Sequence, residues 1–566
     1  MDKRGEAAGT TQRREGGFVR KRALTRRAAI AGGIGAGASL YLPGQGRADA
    51  APQRGGTLAF AVIVEPKNYD FVSNSSFAFI DPTAPHYSTL LKFDGPDYPK
   101  IVGDLAQSWS ISRDRQTYVF KLRPNVLFHD GTLLTSQDVK ATYERIIRPP
   151  PGVLSARRVE YAAIAGIDTP DPLTVVFRLA WPDAAALENF ASPWNGICSA
   201  ARLAADPHFP ATHVLGTGPF VFVEHVIGQY WRGRRWDKYF RPDRPYLDGY
   251  QALFMKVPQV VPAYESGDIQ AEFRGVSPPQ RDALVKALGD KVQVAENPWL
   301  SELLVVFNTQ KPPFNDARVR RALSLAIDRW GAAEKLKATT FLKYVGGLMR
   351  PGSSMAMPEV DLIELPGFGH DVAAARAEAK RLLGAAGVRD LKLTLLVRDI
   401  PMPHYTGANL LAESWQEIGV ATTQQRLDIF DWQKQVVARN FDVAQDFEGD
   451  YFDDPSLQLA KYVSPDLSPV NYSGATDRFL DALFIGQAMT TNPDERAKIV
   501  RDFERHALTQ AYTVPLLWWN RIVVTSSRMH GWSITPSHFL GQDLTDVWLE
   551  PVASAAGGPS DRSSTK

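Results

Sequence analysis

Between Thr117 and Arg145 the chain reads TYVFKLRPNVLFHDGTLLTSQDVKATYER, and its apolar period changes midway. Tyr118, Phe120 and Leu122 alternate, as on one face of a strand. Asp130-Gly131 is turn chemistry. Thr135 then offers an N-cap, with Asp138 three residues on and Leu134 and Val139 placed as a hydrophobic staple around a helix start. A strand that turns directly into a capped helix confines the chain to mixed α/β architectures. It also decides how His129 and Asp130 are read. Neighbours on a strand point to opposite faces, so this pair is expected to be the corner of a fold and not one catalytic centre.

The same mixture continues along the chain. GTLAFAVI from Gly56, LTVVFRL from Leu173 and YQALFMKV from Tyr250 read as strands. NDARVRRALSLAIDR places Val319, Ala322, Leu323, Ala326 and Ile327 on one helical face, with Asn315 or Asp316 as cap. DVAAARAEAKRLLGAAG, GANLLAESWQEIG and the stretch from Asp494 to Leu508 are further amphipathic helices. With 566 residues, two or three domains are expected.

The first fifty residues read as an export signal. A basic cluster precedes an apolar segment, Ala28 to Leu42, too short to span a bilayer as a helix, and Ala48-Asp49-Ala50 supplies small residues for cleavage. The pair Arg26-Arg27 before a Gly/Ala-rich segment resembles the twin-arginine signal, which implies the twin-arginine translocase as export partner. The glycines of GGIGAG belong to this segment and follow no strand, so they are not a nucleotide loop. Residues 1–50 hold ten Lys/Arg and four Asp/Glu; without them the formal +2 of the chain becomes −4. A mildly acidic protein has no electrostatic footprint for nucleic acid. Cys198 is the single cysteine, which leaves no intramolecular disulfide and no lipid-modified cysteine at the cleavage site. No later segment is long and apolar enough for a membrane helix. The expected location is the periplasm, without lipid anchor or transmembrane helix. The tail from 553 to 566 is expected to be disordered.

Catalytic signatures are missing from the sequence: no GxSxG, no HExxH spacing and no P-loop. What the ordered segments do resemble is a receptor family. GDLAQSWSIS (Gly103 on) followed by TYVFKLRPNVLFHDGTLLTSQDVKATYER is similar to the family 5 extracellular solute-binding proteins, the peptide-binding receptors of ABC importers. RGGTLAFAV (Arg54 on), GTGPFVFVE (Gly216 on), FNDARVRRALSLAIDR (Phe314 on), ARAEAKRLLGAAGV (Ala375 on) and PLLWWNRIVVTSSRMHGW (Pro515 on) match that family in order.

The resemblance implies an α/β, two-lobed periplasmic-binding-protein fold with a hinge and an extra inserted domain. Carried over, lobe I comprises 51–95, 210–308 and 515–552, the inserted domain 96–209, and lobe III 309–514. It implies a non-enzymatic monomer that needs no cofactor, captures a peptide-like ligand between lobes and hands it to an ABC permease in the membrane. A sugar oligomer, an opine or a metal chelate is the alternative ligand, and an exported hydrolase the alternative of another class.

The resemblance also implies a site. Peptide-binding members hold the ligand amine with an aspartate in a W-x-x-D-x-x-D-P stretch. Here DFEGDYFDDPSLQL matches, with Asp450 as the anchor, Phe447 in place of the tryptophan, and one extra residue before Asp454-Pro455. Tyr451 and Trp432 are further candidates for the cleft lining, with Trp518–Trp519. An arginine for the ligand carboxylate is missing at the matching position of LLVRDIPMPHYTGAN, and Arg398 lies several residues earlier. The alternative is that Asp450, Asp453 and Asp454 form a solvated acidic loop.

Overall fold

The computed structural model describes residues 51–551. The export signal and the tail from 553 lie outside the described residues. Most strands join one large mixed sheet, and two long antiparallel strands, Val292–Phe307 and Thr513–Ser526, run through its middle. Their outer halves pair with each other from Val292↔Ser526 to Pro298↔Asn520. On that side Ala271↔Thr525 connects them to Ala271–Glu272, then to Thr57–Val62 and on to the edge Phe220–Val226. Their inner halves carry the other wing: Ser301 to Phe307 pairs with Val443–Gly449, which leads to Lys392–Arg398 and Ala421–Leu427. The pairing of the two long strands shifts register between Pro298 and Glu302. Pro298 has no N–H to give a ladder, and a second shift follows between Leu303 and Leu304. Burial changes there too: Trp299 to Phe307 is wholly buried, while Val292 to Pro298 is not.

A second, four-stranded antiparallel sheet spans Ala106–Ile111, Thr117–Leu122, Ile164–Asp171 and Thr174–Leu179. Here the opening stretch behaves as its pattern requires. Tyr118, Phe120 and Leu122 are 1%, 0% and 0% exposed. The helix Ser136–Ile147 follows, and the Asp138 carboxylate accepts the Thr135 N–H at 2.7 Å and its hydroxyl at 3.1 Å. Leu134 and Val139 are both buried. The core of this layer is shared: Phe71, Phe79, Tyr87 and Leu91 pack into it, as do Tyr451, Phe452 and Phe539. The helix Ala317–Leu325 starts at Asp316, whose carboxylate accepts the Arg318 N–H, and buries Val319, Ala322 and Leu323 as its spacing predicts. Among the described residues no helix is long and apolar enough to cross a membrane.

His129 and Asp130 face different partners. The His129 Nε2 lies 3.0 Å from the Gly218 carbonyl, and burial pushes its imidazole down to about 4, so it is neutral and donates that bond at pH 7. Asp130 is exposed, accepts from Thr132 and pairs with Arg202 at 3.0 Å. Cys198 sits among protein groups whose burial raises its thiol to about 12, so it carries no thiolate at neutral pH. From this geometry His129→Ala is expected to cost about 1–3 kcal/mol in urea unfolding, and Asp130→Ala at most about 1 kcal/mol, as befits an exposed ion pair. Neither should change ligand affinity; a loss of binding in a variant that unfolds like the wild type would restore the pair to the site.

Candidate functional site: a carboxylate-lined strand end

The strand Val443–Gly449 runs out of the sheet beside the register shift and continues into the loop to Asp454. Side chains alternate along a strand, so Asp446, Glu448 and Asp450 share one face. The partner strand adds to it. Glu302 lies directly opposite Glu448, Leu304 opposite Asp446, and the Asp450 N–H donates to the Leu300 carbonyl at 3.3 Å. On the other side Glu302 is opposite Trp518, whose indole N–H donates to the Gly347 carbonyl at 3.0 Å. Leu348 and Met349, the helix Pro493–Gln510 and the turn Ala460–Tyr462 share a core that brings Glu504 and Lys461 to the same region.

The charges here do not balance. Asp446 is held by Arg398 at 3.0 Å and Lys461 at 2.5 Å. Glu448 has only Lys461, at 3.7 Å. Glu302 and Asp450 have no ion pair and no side-chain hydrogen bond among the described residues, and Glu504 accepts only from backbone, the Leu348 N–H. Cross-strand like charges directly opposite one another are destabilising, and burial raises the cost. The consequence is visible in the acid strengths. Burial, with the neighbouring acids adding to it, holds Glu302 and Asp450 well above the usual carboxylate range. Burial lifts Glu448 and Glu504 to about 7. Among the described residues, one oxygen on each of the four is shielded from solvent without a hydrogen-bond partner, that of Glu448 being the one that faces Lys461.

The expected site residues divide into two groups. Asp450 and Tyr451 reach the junction with the four-stranded layer: the Tyr451 hydroxyl donates to Glu160, whose carboxyl burial lifts to about 8. Arg398, Phe447 and Trp432 instead form a stack within the wing. The Arg398 guanidinium lies 3.8 Å from the Trp432 ring and 4.5 Å from the Phe447 ring, and is spent on Asp446. Trp432 is 0% exposed, packed with Val306, Leu396 and Val436, and backs the arginine from inside. Phe447 stacks on Trp519 at 6.0 Å, and both Trp518 and Trp519 are core residues.

The solvated-loop alternative is overturned. Asp453 is clamped by Arg350, at 2.7 Å, and receives the Tyr98 hydroxyl at 3.3 Å. Asp454 takes both guanidinium nitrogens of Arg496, at 2.8 and 2.9 Å, and caps the helix Pro455–Gln458. Their side chains are only 8% and 2% exposed. Asp450 is the one acid of the three left unpaired. Sequence reasoning missed Asp446, Glu448, Glu302, Glu504 and Lys461. The period-two acids of D-F-E-G-D were a readable signal; Glu302 needed the strand register.

Lys461 is the cation that makes this face tolerable. Lys461→Met is expected to destabilise the ligand-free chain by about 3–5 kcal/mol at pH 8, since it leaves buried carboxylates unpaired. The sign with pH is fixed by Glu448 and Glu504. Raised to about 7 in the folded chain, they favour folding below their ordinary range, and that contribution is lost as pH rises through 7. Urea midpoints of both chains should therefore fall from pH 5.5 to 8, and the variant's more steeply. A loss independent of pH would show that Lys461 acts through packing alone.

Comparison with known proteins agrees with this architecture. Residues 100–467 match the family described as "Bacterial extracellular solute-binding proteins, family 5 Middle". Over 471 residues the chain is 26% identical to the Escherichia coli K12 protein named "Probable D,D-dipeptide-binding periplasmic protein DdpA", covering 80% of this chain and 87% of that one. Among solved structures, the periplasmic binding protein DppA of Helicobacter pylori in complex with peptide STSA superposes with a TM-score of 0.75 at 22% identity, over 88% of this chain and 99% of that one. AgaA of A. tumefaciens R10 in complex with agropinic acid gives 0.74 at 25% identity, over 88% and 99%. The fold is thus the two-lobed one of periplasmic binding proteins, and the chain belongs to family 5 of the bacterial extracellular solute-binding proteins.

Proposed function

We propose that this protein is the periplasmic receptor of an ABC importer, and that it captures a peptide-like solute between its lobes for delivery to the membrane permease. One observation carries the reading. Among the described residues, the strand Val443–Gly449 pairs along its whole length with Ser301–Phe307, but on its other edge only Val443 and Ala444 meet a neighbouring strand. From Gln445 to Gly449 that edge is free of strand pairing, and it ends at the unpaired Asp450. An extended peptide main chain suits such an edge, and an ammonium at its end suits a desolvated carboxylate. Ligands of this kind are named for the similar E. coli protein and in the H. pylori complex.

In this reading lobe I is 51–95, 210–308 and 515–552, the inserted domain 96–209 and lobe III 309–514. The four-stranded layer falls within 96–209, and the acidic strand end within 309–514, with Glu302 in 210–308. Tyr451 meets Glu160, and Asp453 meets Tyr98, across these ranges, contacts that lobe closure would make. Arg398 acts behind the site, by fixing Asp446, and Phe447 and Trp432 hold Arg398. The chain works as a monomer without cofactor, and it reaches the periplasm through the twin-arginine translocase, with Arg26-Arg27 as the address.

Two outcomes test this. Tripeptides should raise the melting temperature without being cleaved, as mass spectrometry of the mixture would verify. Asp450→Asn should weaken their binding about a hundred-fold or more, the effect of unpairing a buried charge; wild-type affinity in that variant, by calorimetry, would remove Asp450 from the site. Replacing Arg26 and Arg27 by Lys should leave folded precursor in the cytoplasm, and normal export of that chain would point to the general secretory route.

A further inference from the structure

Asp450 accounts for one ligand cation, yet it is the end of a longer row. Glu448 is two residues back on the same face, about 6.6–7 Å along the strand, and Glu302 stands directly across from it. Five carboxylates, those of Asp446, Glu448, Asp450, Glu302 and Glu504, share this region with Lys461 and Arg398, both already engaged by Asp446. A second, uncharged group joins the row of unpartnered atoms. The Tyr462 hydroxyl is buried without a hydrogen-bond partner in a residue 4% exposed, and the charges on Glu302, Glu448 and Glu504 act on it. Such orphaned donors and acceptors are rare in native interiors and mark missing partners. A single metal ion is a poor occupant: among the described residues no three acids, histidines or cysteines converge closely enough to hold one. The unmet need is for a hydrogen-bonding organic cation set a fixed distance from Asp450.

We infer that the site selects peptides with a basic first residue, the α-amine meeting Asp450 and the side-chain cation of that lysine or arginine meeting Glu302 and Glu448 beside Tyr462. The inference rests on the peptide reading above and adds the chemistry of the first side chain. An ammonium has three donors and no acceptor, which matches carboxylate oxygens that have none of their own donors. The step of two strand residues is a span that a lysine bridges between its two amines. Glu302 is the informative member of the pair, because unlike Glu448 it has no cation of its own, and because it comes from the long strand that passes between the wings.

Calorimetric titration of the full mature chain with Lys-Ala-Ala, norleucine-Ala-Ala, Ala-Lys-Ala and trialanine tests this. Norleucine keeps the length of lysine and removes its charge. Lys-Ala-Ala is expected to bind at least about ten-fold tighter than norleucine-Ala-Ala, the effect of one charge-assisted hydrogen bond. In Glu302→Gln that ratio should shrink to less than about three-fold, in a variant whose melting curve shows it folded. Equal affinity for the lysine and norleucine peptides in the wild type would overturn the inference and leave the peptide reading standing. A preference for Ala-Lys-Ala over Lys-Ala-Ala would overturn the position assigned to the second cation. Binding of none of the four would overturn both the inference and the reading beneath it. The wild-type comparison decides the matter even if Glu302→Gln does not fold.

Discussion

Negative charge that the protein itself does not neutralise is the constraint around which this site is arranged. Glu302 and Glu448 oppose each other across two paired strands, with Asp450 at the end of the row and Glu504 on a covering helix. The acids sit there in strongly apolar surroundings: Leu300, Leu303 and Leu304 on one strand and Val443 and Ala444 on the other are all buried. The chain keeps the register and accommodates the acids in three ways. Lys461 and Arg398 neutralise Asp446, the Leu348 N–H serves Glu504, and burial favours the protonated form of what is left.

The location matters as much as the charge. The two long strands belong to both wings of the large sheet, and their register shift between Pro298 and Glu302 falls beside the acidic strand end. The loop after the strand is fixed at several points. Asp453 joins Arg350 and Tyr98, Asp454 joins Arg496, the Asp450 carbonyl accepts the Ser537 hydroxyl, and Phe452 packs against Phe93 at 5.8 Å. These contacts hold the backbone around Asp450 while leaving its side chain free. Preorganisation of this kind lets a ligand bind without the cost of ordering the loop.

Much of the fold was legible. The strand Thr117–Leu122, the box at Thr135 and Asp138, and the buried stripe of the helix Ala317–Leu325 follow from local periodicity and capping alone. The site was only half legible, for a physical reason. Whether an acid is free depends on its partner, and the partners of Asp453 and Asp454 are 103 and 42 residues away. Nothing local distinguishes those two from Asp450. Arg398 and Trp432 looked available for the same reason: the salt bridge to Asp446 and the stack that occupy them arise only when separate segments pack side by side. The alternation Asp446, Glu448, Asp450 was written in the sequence, but its meaning required knowing that Glu302 lies opposite.

If protons fill the place that a ligand cation takes, binding must expel them. Calorimetry of Lys-Ala-Ala binding at pH 6.5, in two buffers of different ionisation enthalpy, counts them directly. Burial raises Glu448 and Glu504 to about 7, and Glu302 and Asp450 well above the ordinary carboxylate range, so the account expects the ligand-free chain to carry protons here at that pH. The account predicts release of protons, on the order of one per peptide bound. A binding heat independent of the buffer, or uptake of protons, would contradict it.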